Sequence, residues 1–263
     1  MLAVLTVNSL GDNPADTSAL TLRDAITLVN NSGNAGSLGQ SGMPAGWASQ
    51  ISGEFGSNDM IQFDPSLFGA TQETIALDSG SGLFSNTNLA IIGPGENKLA
   101  IDGTASEFFT TFGTTSITGL TLSSVLNGGE MTLADSRVTA GVSSGGTMSI
   151  THCTISGAQG PGIDAGGRMT IVDSTISGNE LGILCSGTMT ITGSTISENV
   201  EHNNAYYVGG DYLSAGGILV RGSMTIIDST IANNQDNDPI YPGAGGIVNG
   251  GTLRAGRKIT SAF

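Results

Sequence analysis

The chain is poor in basic residues, cysteine and proline, and it has no long hydrophobic run. Eight Lys and Arg stand against 22 Asp and Glu, a net charge of −14. A surface of that sign repels phosphate backbones, so nucleic acid is excluded as a partner. The two cysteines do not settle the redox compartment, because a pair is two buried thiols as readily as one bridge. Only seven prolines accompany 41 glycines, and no triplet period links them, which excludes collagen. No stretch approaches the roughly 20 apolar residues of a membrane span, so no transmembrane segment is expected. The apolar start, Met1 to Val7, is short and lacks a basic leader. No signal peptide is visible in it, and export would require a leader already removed or lying upstream.

Hydrophobic residues make up 38% of the 263, enough for a core in one large domain or two ordinary ones. Abundant Gly, Ser, Thr and Asn point to tight turns between short strands. Few basic residues beside many Asp, Asn, Gly and Thr is a habit of exported bacterial proteins, so a secreted or cell-surface location is expected.

Internal repetition organises the second half. The blocks are Met148-Ser-Ile-Thr-His-Cys-Thr-Ile-Ser156, Met169-Thr-Ile-Val-Asp-Ser-Thr-Ile-Ser177, Met189-Thr-Ile-Thr-Gly-Ser-Thr-Ile-Ser197 and Met224-Thr-Ile-Ile-Asp-Ser-Thr-Ile-Ala232. A degenerate copy begins at Met131 and a broken one at Gly251-Thr-Leu253. The spacings are 21, 20, 35 and, to Leu253, 29 residues. Each repeat also carries Gly-Ile (Gly162, Gly182, Gly217, Gly246) at a constant 7 residues before the Met position. The extra length therefore enters at one fixed point of the repeat, as loops on one face.

Within a repeat the apolar residues alternate, as in Met169, Ile171, Ser174, Ile176, Ile183 and Cys185. Period two means strands. The reading is an all-β right-handed parallel β-helix, a solenoid with three short strands in each coil of about 20 residues and identical columns stacked about 4.8 Å apart. Two Ile columns (150, 171, 191, 226 and 155, 176, 196, 231) fill its interior. Asn179, Asn199 and Asn234 form a column able to hydrogen-bond from coil to coil. Asp135, His152, Asp173, Gly193 and Asp228 form another, read as turn residues that bond their own backbone. Cys153 replaces Ser in the column of Ser136, Ser174, Ser194 and Ser229, whereas Cys185 falls with Ala165 and Val220. The two cysteines point from different walls, so two small buried side chains are expected rather than a disulfide.

Residues 1–58 read as an N-terminal cap, made of a capping strand over Leu2–Val7, a short amphipathic helix over 20–30 with Leu22, Ala25, Ile26 and Val29 on one face, and a long Gly/Ser-rich loop over 31–58 that includes Trp47. Arg23 on that helix is expected to pair with a carboxylate or carbonyl. Strands at 60–63, 74–77, 89–92 and 99–101 open the coils, so residues 59–263 are read as β-helix, with insertions at 200–215 and 235–244, in one continuous domain.

Leu5-Thr-Val-Asn-Ser9, then Leu20-Thr-Leu-Arg-Asp-Ala-Ile26, resembles the N-terminal signature of bacterial exported β-helix proteins, usually written Cys-Ser-Leu-Arg-Glu-Ala-Ile. The Gly-Thr-Met-Thr-Ile-x-x-Ser-Thr-Ile-Ser units are similar to repeats of those proteins and of polymorphic outer-membrane proteins, within the pectate-lyase-like β-helix superfamily. The likeness covers nearly the whole chain. It implies the β-helix fold and a secreted or surface role, commonly with an anchor, sorting or autotransporter module. Leu20 stands where the family usually has Cys, so any disulfide that relatives make there is absent. No anchor is visible, and the end from Gly256 to Phe263 loses the repeat, as in a truncated or diverged terminus.

All four tyrosines lie in the two insertions, which leave the same coil position and should be neighbours. Glu201, His202, Tyr206, Tyr207, Asp211 and Tyr212 in the first, with Asp236, Asp238 and Tyr241 in the second, are the candidate ligand-binding residues. Rings stack on apolar sugar faces and carboxylates accept hydroxyl hydrogen bonds. The plainer alternative is that the tyrosines pack the loops onto the wall.

Catalysis by Glu198, Glu201, Asp211, Asp236 or Asp238, with His202 as base, is the enzymatic alternative. The clustered Asp pairs, Gly-His-Gly and Arg-x-Lys pattern of pectin hydrolases are absent, and cations to neutralise a uronate are few. His152 reads as a solvated turn residue. Asp236-Asn-Asp238 lacks the further ligands of a known Ca²⁺ loop, so neither metal nor cofactor is expected.

The leading expectation is a non-catalytic exported or cell-surface β-helix presenting loops for adhesion or carbohydrate recognition, with a polysaccharide or a host or cell-surface ligand as partner. The alternatives are a polysaccharide lyase or glycoside hydrolase at those loops, and a structural spacer from a larger surface protein.

Overall fold

The computed structural model describes the chain except residues 1, 14–15, 78–81, 104–108, 203–205, 209–210, 242, 257–258 and 263, and gives the backbone alone for 207, 208, 211 and 259–262. The chain forms two compact units, Met1–Ser136 and Arg137–Phe263. Both are built from short parallel strands that return to the same wall once per coil, the right-handed parallel β-helix that the repeats predict.

In the first unit one wall comprises Val4–Val7, Asp59–Phe63, Leu89–Ile92, Thr114–Thr118 and Glu130–Ala134. Their register aligns Leu5, Ile61, Ile91, Ile117 and Leu133 in a single column. All five are fully buried. A second column aligns Ile75, Ile101 and Leu122, and a third Leu83, Phe109 and Val125. Each β-branched or aromatic side chain thus rests on its equivalent one coil away, and no coil could bury that face alone.

The helix Leu22–Asn30 forms where expected. Thr21 caps it: its hydroxyl accepts the Asp24 N–H while the Asp24 carboxylate accepts the Thr21 N–H, a reciprocal capping box. Leu22, Ala25, Ile26 and Val29 are buried, as the helical stripe requires. Arg23 makes a bidentate bridge to Asp12 at 2.8 and 2.7 Å and also donates to Gly82 O. The segment read as a long loop is more ordered than its composition implied. It contains a 3-10 turn at Ala35–Leu38, a helical turn at Ala45–Ala48 and the strand Ile51–Ser52, which pairs antiparallel with Val4–Val7. Trp47 is fully buried, and its indole N–H donates to the carbonyls of Ala19 and Asp16. Polar composition disguised this because one large anchor organises the stretch.

In the second unit the repeats align without slippage. Met148, Met169, Met189, Met224 and Leu253 form one column, and Ile150, Ile171, Ile191 and Ile226 the next. Val138, Ile155, Ile176, Ile196 and Ile231 line a second wall. The third wall comprises Val142–Ser144, Pro161–Ala165, Leu181–Cys185, Ile218–Val220 and Ile247–Asn249. Both cysteines are free and buried. Burial pushes the Cys185 thiol up to about 11, which leaves it protonated and unreactive.

Three polar columns close the turns of this unit. The Ser174 and Ser194 hydroxyls donate to the carbonyls two residues back, Val172 O and Thr192 O. Each also accepts an N–H from the coil before it, from Cys153 and Ser174 respectively. His152, Asp173, Gly193 and Asp228 have φ of 52°, 46°, 60° and 47°. Left-handed backbone geometry, rather than side-chain bonding alone, is what selects Asp and Gly in that column. The Asn column is a true ladder: Asn179 donates to Asn199 and Asn199 to Asn234. Close approach explains the Gly of the pairs at 182 and 217, where a Cβ would collide with Gly217 O and Gly246 O.

Candidate functional site

Both insertions belong to the second unit, and they meet. Val200–Glu201 pairs in parallel with Gln235–Asp236, and Ser214–Ala215 pairs with Gly243–Ala244. Within the first insertion Tyr206–Val208 runs antiparallel to Asp211–Ala215. This antiparallel pair covers the outside of the third wall. The outward column there reads Ser143, Asp164, Leu184, Leu219 and Val248. Leu184 and Leu219 are buried beneath Tyr206 and Leu213, together with Leu181 and Ala215. A small second core therefore lies outside the coil, and it fixes the insertion to the wall.

Tyr206 belongs to that core. The Arg221 guanidinium sits 5.9 Å from its ring centroid, a cation–π arrangement. Burial, then the carboxylates of Glu201, Glu180 and Asp164, push the Tyr206 phenol above its usual range, so it stays neutral. Asp164 is also raised, by burial, with Arg221 acting in the opposite direction. Glu201 is fully buried and accepts the His202 N–H. Glu201 is therefore closed to solvent, and Tyr206 is held partly buried in the outer core.

Tyr212 and Tyr241 do face solvent. They are 53% and 37% exposed, and their ring centroids lie 5.6 Å apart at an interplanar angle of 40°. One insertion supplies each ring. Asp236 and Asp238 build the scaffold beneath them. The Ser214 hydroxyl lies 2.9 Å from both Asp236 carboxylate oxygens, and the Asp238 carboxylate accepts the N–H groups of Ile240 and Tyr241. The side chains of Tyr207 and Asp211 lie outside the described residues.

A groove of about 510 Å³ opens beside the first insertion, lined by Gln159, Glu180, Glu198, Val200 and His202 over a floor of Gly157, Ala158, Gly178 and Asn179. The Asn179 amide is spent on the ladder, donating to Ile155 O and Asn199 and accepting the Ala158 N–H. The Glu180 and Glu198 carboxylates make no hydrogen bond or ion pair with a described residue and remain available to a ligand. Among the described residues no group of three or more His, Cys, Asp or Glu side chains is placed to hold a metal ion. No helix among them is long and apolar enough to cross a membrane.

Residues 108–254, more than half of the chain, match the family described as right handed beta helix region. The chain belongs to the right-handed β-helix family. No curated protein and no solved structure matches it. Of the residues singled out in the sequence, Tyr212 and Tyr241 come together at the surface, and His202 lines the groove. Glu201, Tyr206, Asp236 and Asp238 serve the loops themselves.

Sequence reasoning missed Glu180 and Gln159 at the groove, because each sits in a turn of an ordinary-length coil. It anticipated a tyrosine packing its loop onto the wall, as Tyr206 does, but not the leucines that receive it, although a signal existed. Ile183-Leu184-Cys185 and Ile218-Leu219-Val220 break the alternation expected of a wall with one face in solvent.

Proposed function

We propose that this protein is a non-catalytic exported or cell-surface β-helix whose inserted loops recognise carbohydrate. The observation that carries the reading is the exposed Tyr212–Tyr241 pair, one ring from each of two insertions, held by Asp236 and Asp238 on a rigid solenoid. Tilted aromatic rings offer an apolar face to the C–H side of a sugar, and the groove beside the first insertion offers Glu180, Glu198, Gln159 and His202 to hydroxyls and other polar substituents. Exposed aromatic side chains are also the anchors that dominate binding energy at recognition surfaces.

The test is a panel of acidic, neutral and basic glycans, read both for binding and for new reducing ends or unsaturated uronates. Binding without product, weakened at least tenfold by Tyr212→Ala or Tyr241→Ala, is expected. Product formation that disappears in Glu180→Gln or Glu198→Gln would replace this reading with the lyase or hydrolase one. A protein that binds no glycan at all is a structural spacer.

A further inference from the structure

We infer that the first unit carries a binding site of its own, a pocket that takes a small aromatic carboxylate between Phe68, Ile92 and Lys98. Every residue of it belongs to the first unit, so it stands or falls independently of the glycan reading. The pocket opens where the strands Asp59–Phe63 and Leu89–Ile92 end, with a volume of about 430 Å³. Sites for small molecules span roughly 300–1,000 Å³. Phe63, Pro65, Phe68, Ile92 and Pro94 give it apolar walls, and the Phe63 and Phe68 rings meet edge to face with centroids 6.4 Å apart. Its polar side chains are Gln62 and Lys98.

Two independent features of this pocket point to a ligand. The first is Ile92. The outward row on its wall reads Thr6, Gln62, Ile92, Thr118 and Ala134, polar or small at every other position. Ile92 breaks that row while 43% exposed. A lone exposed aliphatic side chain is ordinary on a protein surface, but this one shares a concavity with a half-buried phenylalanine and two prolines.

The second is Lys98. It and Arg23 are the only Lys or Arg in the first unit, amid many more Asp and Glu. Arg23 is bound to Asp12. Lys98 instead donates to Gly69 O at 2.6 Å, and no described Asp or Glu pairs with it. An ammonium group has three N–H donors, so two remain for an anion at the pocket. The Gln62 amide already donates to the Thr6 hydroxyl at 3.1 Å, which leaves Lys98 as the charged anchor.

These features select the ligand's chemistry together. A flat ring gains burial and edge or face contacts against Phe68 and Ile92, whereas a sugar acid has little apolar surface to place there. A wholly apolar molecule leaves the ammonium group unused. A polyanion is repelled by the net charge of −14, an objection that weighs far less on a single carboxylate.

The experiment titrates the full chain with 2-naphthoate, its uncharged analogue 2-naphthamide, 2-naphthylmethylammonium and galacturonate, followed by calorimetry and by the Ile92 methyl resonance. Naphthoate should bind with a dissociation constant of roughly 1 mM or below, as suits a small ligand. It should bind at least tenfold more tightly than the amide, the ammonium compound or galacturonate, and its preference over the amide should shrink in about 0.5 M salt. Lys98→Met keeps the aliphatic stem and should equalise naphthoate and naphthamide. Ile92→Thr restores the residue type of the row and should weaken both. Ile92 is exposed and Lys98 partly so, and both variants should keep a cooperative thermal transition. Tyr212→Ala should leave naphthoate binding unchanged.

Equal affinity for the acid and the amide, preference for the ammonium compound, or no binding of naphthoate overturns the inference. A carboxylate preference that survives Lys98→Met places the site elsewhere and overturns it as well. Galacturonate binding as tightly as naphthoate would show that the carboxylate alone is recognised and remove the aromatic half of the claim. None of these outcomes touches the glycan panel, whose result is decided at the insertions.

Discussion

The side-chain amide of Asn199 donates to Asn234 Oδ1 at 2.8 Å and to Ile176 O at 3.2 Å, while its own oxygen accepts the backbone and side-chain N–H groups of Asn179, both at 3.0 Å. Asn199 is fully buried, so every one of these bonds forms where water cannot substitute. Asn199→Ala leaves the buried backbone N–H of Asn179 without its acceptor and takes a donor from both Asn234 Oδ1 and Ile176 O. Each such group costs about 1–3 kcal/mol, and a loss of at least 2 kcal/mol is expected in denaturant unfolding. A variant within 0.5 kcal/mol of the parent would show that the ladder is ornamental.

Glu198 has φ of 58° in a turn column whose other members are Gly157, Gly178 and Asn233, with φ of 80°, 65° and 56°. A side chain in the left-handed region costs roughly 1–2 kcal/mol, of which glycine's greater freedom in the unfolded chain returns about 0.5–1. Glu198→Gly should therefore stabilise the protein by about 0.5–1 kcal/mol, raising the melting temperature by about 2 °C. Because the same side chain lines the groove, the variant should lose affinity for a glycan held there as it gains stability, the pattern of strain kept at a binding site. Calorimetry and binding on one preparation decide the matter, and a destabilised variant would refute the strain argument.

The coil was legible because solenoid stacking repeats one constraint many times. The Ile columns, the Asn ladder and the constant distance from Gly-Ile to Met each declare a position that recurs in space. The meeting of the two insertions was legible too, since both leave the same point of successive coils. Trp47 was hidden because a single anchor in a polar stretch produces no period. That a tyrosine would pack its loop onto the wall was legible, but its partners were hidden, because Leu184 and Leu219 find Tyr206 and Leu213 across a connection with no repeat partner. Glu180 was hidden because its groove is formed by three coils at once, and no local pattern marks the residues that will line a concave surface.

Leu219 and Ile218 are adjacent in one strand and both fully buried, yet Leu219 lies under the first insertion while Ile218 stacks on Ile183 and Ile247. Truncating either removes a buried apolar side chain and should cost about 2–5 kcal/mol, but the losses fall on different structures. Leu219→Ala should speed amide hydrogen exchange in Tyr206–Val208 and Asp211–Ala215 by about 30-fold or more, leaving Ser223–Ile227 nearly unchanged, as expected of a locally unfolding unit. Ile218→Ala should accelerate exchange in Ser223–Ile227 as well. Uniform acceleration in both variants would mean that insertion and coil unfold together.

Asp164 occupies the outward column one coil before Leu184, and burial raises its carboxyl above the ordinary value of 3.8, with Arg221 offsetting part of the effect. A raised native pKa means that the folded state favours the protonated form. Its stabilising contribution is complete below the unfolded-state value and fades as pH rises through the native one, leaving the folded protein with a disfavoured, half-buried carboxylate at neutral pH. Asp164→Asn keeps the shape and removes the titration. It should raise the melting temperature at about pH 7, with the gain shrinking toward zero near about pH 3, where Asp164 is itself neutral. Asp24 is raised by burial as well, so the parent's own pH profile contains two components of the same sign. The difference between variant and parent cancels the Asp24 component, because different residues shift the two carboxyls and independent sites add. A gain that is constant across the range would trace to packing, and a loss at neutral pH would show that the attraction of Arg221 for the charged Asp164 outweighs its burial.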